Sequence, residues 1–561
     1  MKSKIVLPIA KSFAKRFEAI NFTEIEEILP HYIDKNYSKH SIINNKIISL
    51  QSLNINSGKE EYLKYFNNCW LLTEVLFSSL KYKESFYQTP YHSLRHPLIF
   101  YYGHVASFYV NKMLLAGLIN KGVNKEFENI FETGVDEMTW DVNTQDGKIN
   151  WPTLAEVFTY REEAYNLVTD IINKNEQLFT TKISAKTPLD KTTLDKTPLW
   201  SLLMSFEHER IHLETSSVLI REIQIEHIRN PKYFTEPTHH QKENPFPRVK
   251  IDYPENELLN IESKVVHIGK KDITTYGWDN EYGLDTRKVN NFDVSQYLIS
   301  NGEFFEFVKN DGYYIDKYWC DNGLSWRKFR NTYHPTFWVA NGPKDSNLFK
   351  LRSCFDIIDM QWNYPVIVNH YEAKAFCRYK SELDGKNYRL PFEAEHRALQ
   401  DFETDPINSQ FHNNFNFNLQ NLSENAVNIN KHTENNLHDI HGNVWQWLED
   451  DFHPLKGFKI HSYYKDFSTP CFDGKHKMIA GSSFFSTGNL ASADSRYHFR
   501  PHFFQHSGFR IVNDKQNYIK NNIQIEFETI NQATGVKYII FKENNELKVL
   551  EKEIFNQRFW Q

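Results

Sequence analysis

Long helical periodicity is confined to one part of this chain, and that restriction limits the possible fold more than any other feature. Four stretches carry apolar residues at helical spacing: EEYLKYFNNCWLLTEVLFSSL (60–80), HPLIFYYGHVASFYVNKMLLAGLI (96–119), TLAEVFTYREEAYNLVTDIINK (153–174) and LWSLLMSFEHERIHLETSSVLIREI (199–223). Pro97 suits a first helical turn. The four predict a helical bundle over residues 1–228, a fold that builds sites from inward side chains of different helices. TTKISAKTPLDKTTLDKTPLW (180–200) holds a Lys/Thr/Pro near-repeat too short for a repeat architecture, which reads as a loop insertion. The Pro-rich, polar segment 229–250 reads as a linker. From 251 to 513 helical periodicity becomes rare while Gly, Asn, Asp and aromatic residues rise, which predicts an irregular α+β domain with long loops. Residues 514–561 alternate apolar positions around Asn544-Asn545 and predict a small hairpin-like appendage.

The charge balance excludes some partners. With 65 Lys and Arg against 71 Asp and Glu, the net charge is −6, and no basic footprint points to nucleic acid. No basic amphipathic run suggests a membrane surface. No stretch reaches the ~18 apolar residues of a transmembrane helix. Lys11 and Lys15 interrupt the apolar patch near the N-terminus, so no signal peptide is expected. The five cysteines (Cys69, Cys320, Cys354, Cys377, Cys471) are scattered and form no C-x-x-C, which fits reduced thiols and a cytoplasmic protein.

His208 and His212 form a literal H-E-x-x-H. Four residues apart on a helix, they share one face and can bind one metal ion. The motif is also the zinc-hydrolase signature, with Glu209 as general base. A zinc protease usually takes its third ligand downstream, but His227 and His239-His240 only precede or sit within the linker. His104, in the almost wholly apolar FYYGHVASF, is the best third candidate. A satisfied core histidine is the alternative reading there. An unpaired buried imidazole costs free energy, and Gly103 beside it allows another element to approach. Three neutral imidazoles would suit Fe, Cu, Zn or Ni.

HPLIFYYGHVASFYVNK, TWDVN, YREEAYNLV and SFEHERIHLETSSVLIR together resemble the N-terminal half of the ovothiol-pathway 5-histidylcysteine sulfoxide synthase family, related to the ergothioneine-pathway sulfoxide synthases. YGWDNE (276–281), FFEFVKNDGYY (304–314), YPVIVNHYEAKAFCRYK (364–380), YRLPFEAEHRA (388–398), DIHGNVWQWLED (439–450) and GFRIV (508–512) resemble its second half. The resemblance covers roughly residues 30 to 512. It implies a DinB-like four-helix bundle followed by a formylglycine-generating-enzyme-like, C-type-lectin-like domain, with Trp445, Trp447 and Phe509 packing a core. It does not imply formylglycine-generating activity, because no cysteine pair lies between Cys471 and Gly508.

The implied chemistry is that of a mononuclear non-haem Fe(II) enzyme, with the iron on His104, His208 and His212 and dioxygen as co-substrate. It would join the sulfur of L-cysteine to the imidazole C5 of L-histidine. Glu209 would then either support the ligands from behind or lie at the surface. Arg161 and Tyr165 in TYREEAYN, with Arg496, Arg500 and His502 in SADSRYHFRPHFFQHSGFR (492–510), are the implied substrate contacts. Where the family keeps an active-site tyrosine, EDDFHPLKGF (449–458) places His453, with Tyr463 or Tyr464 as substitutes. About fifty residues follow GFRIV, without a G-x-G-x-x-G loop, so a later N-methylation would fall to a separate methyltransferase. The alternatives are the same chemistry on hercynine, a thiol dioxygenase, a zinc hydrolase using Glu209, and a non-catalytic binding module.

Overall fold

A computed structural model describes residues 42–513 apart from 52, 89–94, 133–149, 180–196, 235–236, 238–243, 344–345, 401–414 and 432–435, together with the backbone of three strands between 524 and 552. The first forty-one residues, TWDVN (139–143), His239-His240 and most of the expected insertion lie outside the described residues.

The four expected helices form: α1 Lys59–Phe77, α2 Leu98–Leu115, α4 Leu154–Lys174 and α5 Pro198–Glu222, with a short α3 at Lys125–Ile130. Local signals set their starts. Thr153 and Glu156 make a reciprocal capping box at α4. At α5 the Thr197 side chain accepts from the Trp200 amide, and Pro198 occupies the first turn. Helix α2 packs on α4 and α5, and α1 packs on α5. No described helix is long and apolar enough to cross a membrane.

Helix α5 is buried along nearly its whole length, from Leu199 to Arg221. Its polar residues therefore need partners. The second domain supplies many of them. It contains β1 Leu258–Ile261, β2 Lys264–Ile268, β3 Asp285–Val289, β4 Phe292–Ser295, α6 Asn301–Lys309, α7 Asp321–Arg330, β5 Trp338–Ala340, β6 Phe349–Arg352, β7 Ile357–Asp359, α8 His370–Asp384, β8 Tyr388–Arg389, α9 Glu393–Leu399, β9 Trp445–Asp451, β10 Lys477–Ala480, β11 Tyr497–Phe499, β12 Ser507–Gly508 and β13 Val512–Asn513. A four-stranded sheet in the order β8-β13-β4-β1 joins the start of the domain to its end. A second, β11-β10-β9-β12, pairs β9 and β12 in parallel, Trp445 opposite Ser507. Trp447 and Phe509 are fully buried in the core. Trp445 is buried at the domain interface, where its indole N–H donates to Glu214 Oε1 at 2.7 Å.

The segment read as a linker is packed where it is described. Phe234 is buried against Phe355 and Phe485, and the Tyr233 carbonyl accepts from the Ile47 amide. In place of a hairpin, the C-terminal appendage is a three-stranded antiparallel meander, β14 Gln524–Ile530, β15 Lys537–Glu543 and β16 Glu546–Lys552.

Candidate metal centre

Helix α5 presents His208 and His212 one turn apart, and α2 brings His104 against them. The ring centroids lie 4.4 to 4.9 Å apart, and one nitrogen from each ring lies within 4.8 Å of the others. The Nε2 atoms of His208 and His212 are 3.2 Å apart. His104 Nδ1 donates to the Phe131 carbonyl at 2.5 Å, which leaves its Nε2 as the lone-pair atom. Gly103 makes that contact possible, because a Cβ there would collide with the Phe131 ring. His104 Nε2 is buried and has no protein partner. Phe108 stacks on His208 with centroids 3.5 Å apart, and Phe100 stacks on His104 at 5.0 Å.

Burial pushes the His104 imidazole down to about 4, partly offset by the Phe131 carbonyl. Burial, followed by the neighbouring histidines, holds His208 and His212 well below the usual range. All three are neutral ligands at pH 7. The donor set therefore fits a divalent first-row metal such as iron.

Glu209 faces away from the three rings. One residue along a helix turns a side chain by about 100°, and the Glu209 carboxylate accepts from Thr73 Oγ1 and Tyr109 Oη, each at 2.8 Å. It is 1% exposed, so the surface placement is corrected. Burial raises its pKa to about 7.

Tyr464, one of the two tyrosine substitutes, is buried beside the centre, 6.2 Å from His208 and 5.3 Å from Phe108 between ring centroids. Lys112 of α2 lies over the Phe108 and Tyr464 rings and donates to the Tyr463 carbonyl at 2.6 Å. Burial lowers the Lys112 pKa to about 8 against the pull of Asp466. His453 takes no such position. Its Nδ1 donates to the Asp451 carbonyl at 2.9 Å, and its Nε2 lies 3.4 Å from Glu393, inside the second domain.

The implied substrate contacts divide. Arg161 is fully buried in the bundle, where it donates to Glu74 at 2.7 and 3.1 Å and to the Tyr102 carbonyl at 2.7 Å. Tyr165 donates to Asn67 in the same interior. Arg496 is held by Glu393, the Asn280 carbonyl and the His453 carbonyl. Arg500 is half-buried and lies near Asp473, where its charge adds to the larger pull of His476 on that carboxyl. Arg161, Tyr165 and Arg496 serve structural contacts in the described fold. His502 is different: it lines a cleft with Arg95, Glu222, Trp326, Arg330 and Phe503.

That cleft begins at Thr215, one helical turn beyond His212. Arg95 is close enough for its charge to push His212 further down. Both Arg95 and Arg330 favour the ionised form of Glu222, although burial raises its pKa overall. The sequence offered only a faint signal for these residues: Glu222 continues the His208–His212–Thr215–Leu219 face of α5, while Arg95 and Arg330 come from distant segments.

Residues 65–216 match the DinB superfamily, and residues 254–515 match the sulfatase-modifying factor enzyme 1-like domain. The expected order of a DinB-like helical domain and a C-type-lectin-like domain therefore holds. The chain is 21% identical over 448 residues to Ergothioneine biosynthesis protein 1 of Schizosaccharomyces pombe, covering 74% of this chain and 51% of that protein. It is 23% identical over 221 residues to Hercynine oxygenase of Mycobacterium tuberculosis, covering 36% of this chain and 48% of that protein. The chain thus spans about half the length of the curated relatives it matches. The two domain matches and these relatives do not single out the ovothiol branch expected from the sequence.

Proposed function

We propose that the chain is an oxygen-dependent sulfoxide synthase that joins an amino-acid thiol to an imidazole ring, with Fe(II) held by His104, His208 and His212. The observation that carries this reading is the buried triad of neutral imidazoles beside a cleft with paired arginines and a glutamate. When bound, iron would supply the redox chemistry that lets dioxygen react with a thiolate.

The chain's own residues do the rest. Burial keeps the three imidazoles unprotonated, so no proton competes for their lone pairs. A ligand set without a carboxylate leaves the cation's charge uncompensated, which favours an anionic sulfur. The Phe131 carbonyl fixes the His104 tautomer. Phe100 and Phe108 wall the centre and exclude water on their sides. Arg95 and Arg330 suit the α-carboxylates of amino-acid substrates and Glu222 suits an α-ammonium. Tyr464 Oη is the candidate proton donor, on a ring packed edge-on to His208. Much of the rate would come from holding sulfur and imidazole carbon in a reactive orientation.

L-cysteine and L-histidine are the first reading of the substrates, on the family phrases. Hercynine as acceptor is the second, favoured by the name of the mycobacterial relative. Anaerobic Fe(II) loading, then oxygen with cysteine and either acceptor, followed by mass spectrometry, decides between them. The expected product is histidylcysteine sulfoxide. Preference for hercynine would move the chain to the second reading. Cysteine sulfinate alone would remove the synthase reading, and no oxygen consumption would remove both.

A further inference from the structure

Among the described residues, a second group of metal-ligating side chains stands together in the other domain: Cys471, His476 and His498, with ligand atoms within 4.8 Å of one another. We propose that these three bind a structural zinc ion, separate from the histidine triad, that pins the segment carrying Tyr464 to the β10–β11 hairpin. The ligand set itself does not depend on the sulfoxide synthase reading.

Local structure brings the three together. Cys471 ends a 3-10 turn at Thr469–Cys471. The chain then turns through Asp473-Gly474 and enters β10, with His476 immediately before the strand. On the neighbouring strand, His498 is paired with Met478. One ligand thus comes from the turn, one from the strand entrance and one from across the ladder.

The polar contacts suit ligation. Asp473 Oδ1 contacts His476 Nδ1 at 2.9 Å, a carboxylate–histidine pairing that leaves Nε2 as the ligand atom and makes it more basic. Asp473 is itself fixed by the Lys475 amide at 2.8 Å and the His476 amide at 3.2 Å. His498 Nδ1 is buried and has no hydrogen-bond partner, which in a folded protein needs an explanation. Phe452 stacks on the His498 face at 3.9 Å and fixes the ring plane.

The donor types choose the metal. One thiolate with two imidazoles is a borderline-soft, tetrahedral set that suits zinc and disfavours calcium or magnesium. Three protein ligands leave the fourth position of a tetrahedral site for water. The need is local as well. Cys471 belongs to a small core of its own, with Leu448, Phe452, Phe472 and Met478. A core of that size gains from a staple. The same segment runs back to Tyr464 beside His208, so the zinc would steady that ring from outside the triad.

Cobalt(II) distinguishes the two centres, because only the proposed one contains sulfur. The metal-free full-length protein, titrated anaerobically with Co(II), is expected to bind two equivalents, one of them with a thiolate-to-cobalt charge-transfer band. Cys471→Ser and His498→Ala should each lose the band and one equivalent while near-UV circular dichroism stays native. His104→Ala should keep the band and lose the other equivalent. A folded wild-type protein that shows no thiolate band at two equivalents overturns the proposal, whatever the variants do. So does a band that survives in Cys471→Ser, since it would belong to another cysteine. Neither result bears on the triad, whose failure would appear as loss of the nitrogen-only equivalent.

Discussion

Glu214 offers the sharpest test of how the two domains are joined. Its carboxylate is 3% exposed and accepts three hydrogen bonds from the second domain: Trp445 Nε1 at 2.7 Å and Ser483 Oγ at 2.6 Å on Oε1, and Ser486 Oγ at 2.7 Å on Oε2. Replacing it with leucine keeps much of the volume and orphans all three donors. An orphaned buried donor costs about 1–3 kcal/mol. The two serines lie 3.4 Å apart and can partly satisfy each other, whereas the indole N–H cannot turn. Glu214→Leu should therefore cost roughly 2–5 kcal/mol. Glutamine should cost about 1 kcal/mol or less. Its carbonyl can serve Trp445 and Ser483, and Ser486 can rotate to accept from the new amide. Nor is a favourable charge lost, because burial already works against the ionised form. Urea titration of the iron-loaded protein, followed by tryptophan fluorescence and far-UV circular dichroism, reads both variants. A Glu214→Leu protein as stable as wild type would refute the reasoning. So would a Glu214→Gln protein as weak as the leucine variant, since the negative charge, rather than the hydrogen bonds, would then hold the interface.

Four further outcomes can be checked. Gly103→Ala should push Phe131 off His104 and weaken iron binding by about 10–100-fold, the usual cost of losing such an outer contact, measured as iron retained after gel filtration. Arg330→Ala should raise KM about 10–100-fold, equivalent to the ~1.5–3 kcal/mol of a hydrogen bond to a charged group, and an unchanged KM would place the carboxylates elsewhere. Tyr464→Phe should leave iron content and fold intact and shift product from sulfoxide towards sulfinate, read by mass spectrometry; an unchanged ratio removes the proton-donor role. Burial holds His441 at about 4 in the folded chain, against about 6.5 unfolded, so its contribution to stability is full above pH 6.5 and is lost as pH falls towards 4. His441→Asn should therefore flatten the pH dependence of unfolding across that window by up to ~1.4 kcal/mol per pH unit.

The long elements were legible because their periodicity is local. The meeting of His104 with His208 and His212 could be anticipated because an apolar helix rarely carries an unpartnered imidazole and an i, i+4 pair shares a face. Arg161 failed that kind of reading. It was expected among the substrate contacts, but its partner Glu74 lies on another helix, 87 residues away, and the sequence carries no local signal for that pairing. Tyr464 and His453 show the same limit. Both follow the NVWQW stretch, yet one reaches the triad and the other is caught by Glu393, and only the path of the intervening loop decides which. The cleft residues Arg95, Glu222 and Arg330 come from three segments with no common motif.

The H-E-x-x-H motif takes its meaning from what covers each face of α5. One face turns His208 and His212 towards His104 and continues through Thr215 and Glu222 into the cleft. A second buries Glu209 between Thr73 and Tyr109. The third carries Glu207, Arg210, Glu214 and Arg221 to partners that include Asn489, Thr487, Ser483 and Glu424 of the second domain. At that contact Gly488 adopts a positive φ of 62°, and a side chain there would collide with Glu207. A metal-protease helix needs its glutamate free to meet water near the metal. Here the glutamate is locked in the bundle, and the charges that look like a solvated face hold two domains together. The histidines and the domain interface share one rigid helix. A substitution that shifts the interface should therefore reach the triad as a rotation or slide of α5, even at residues that touch no ligand.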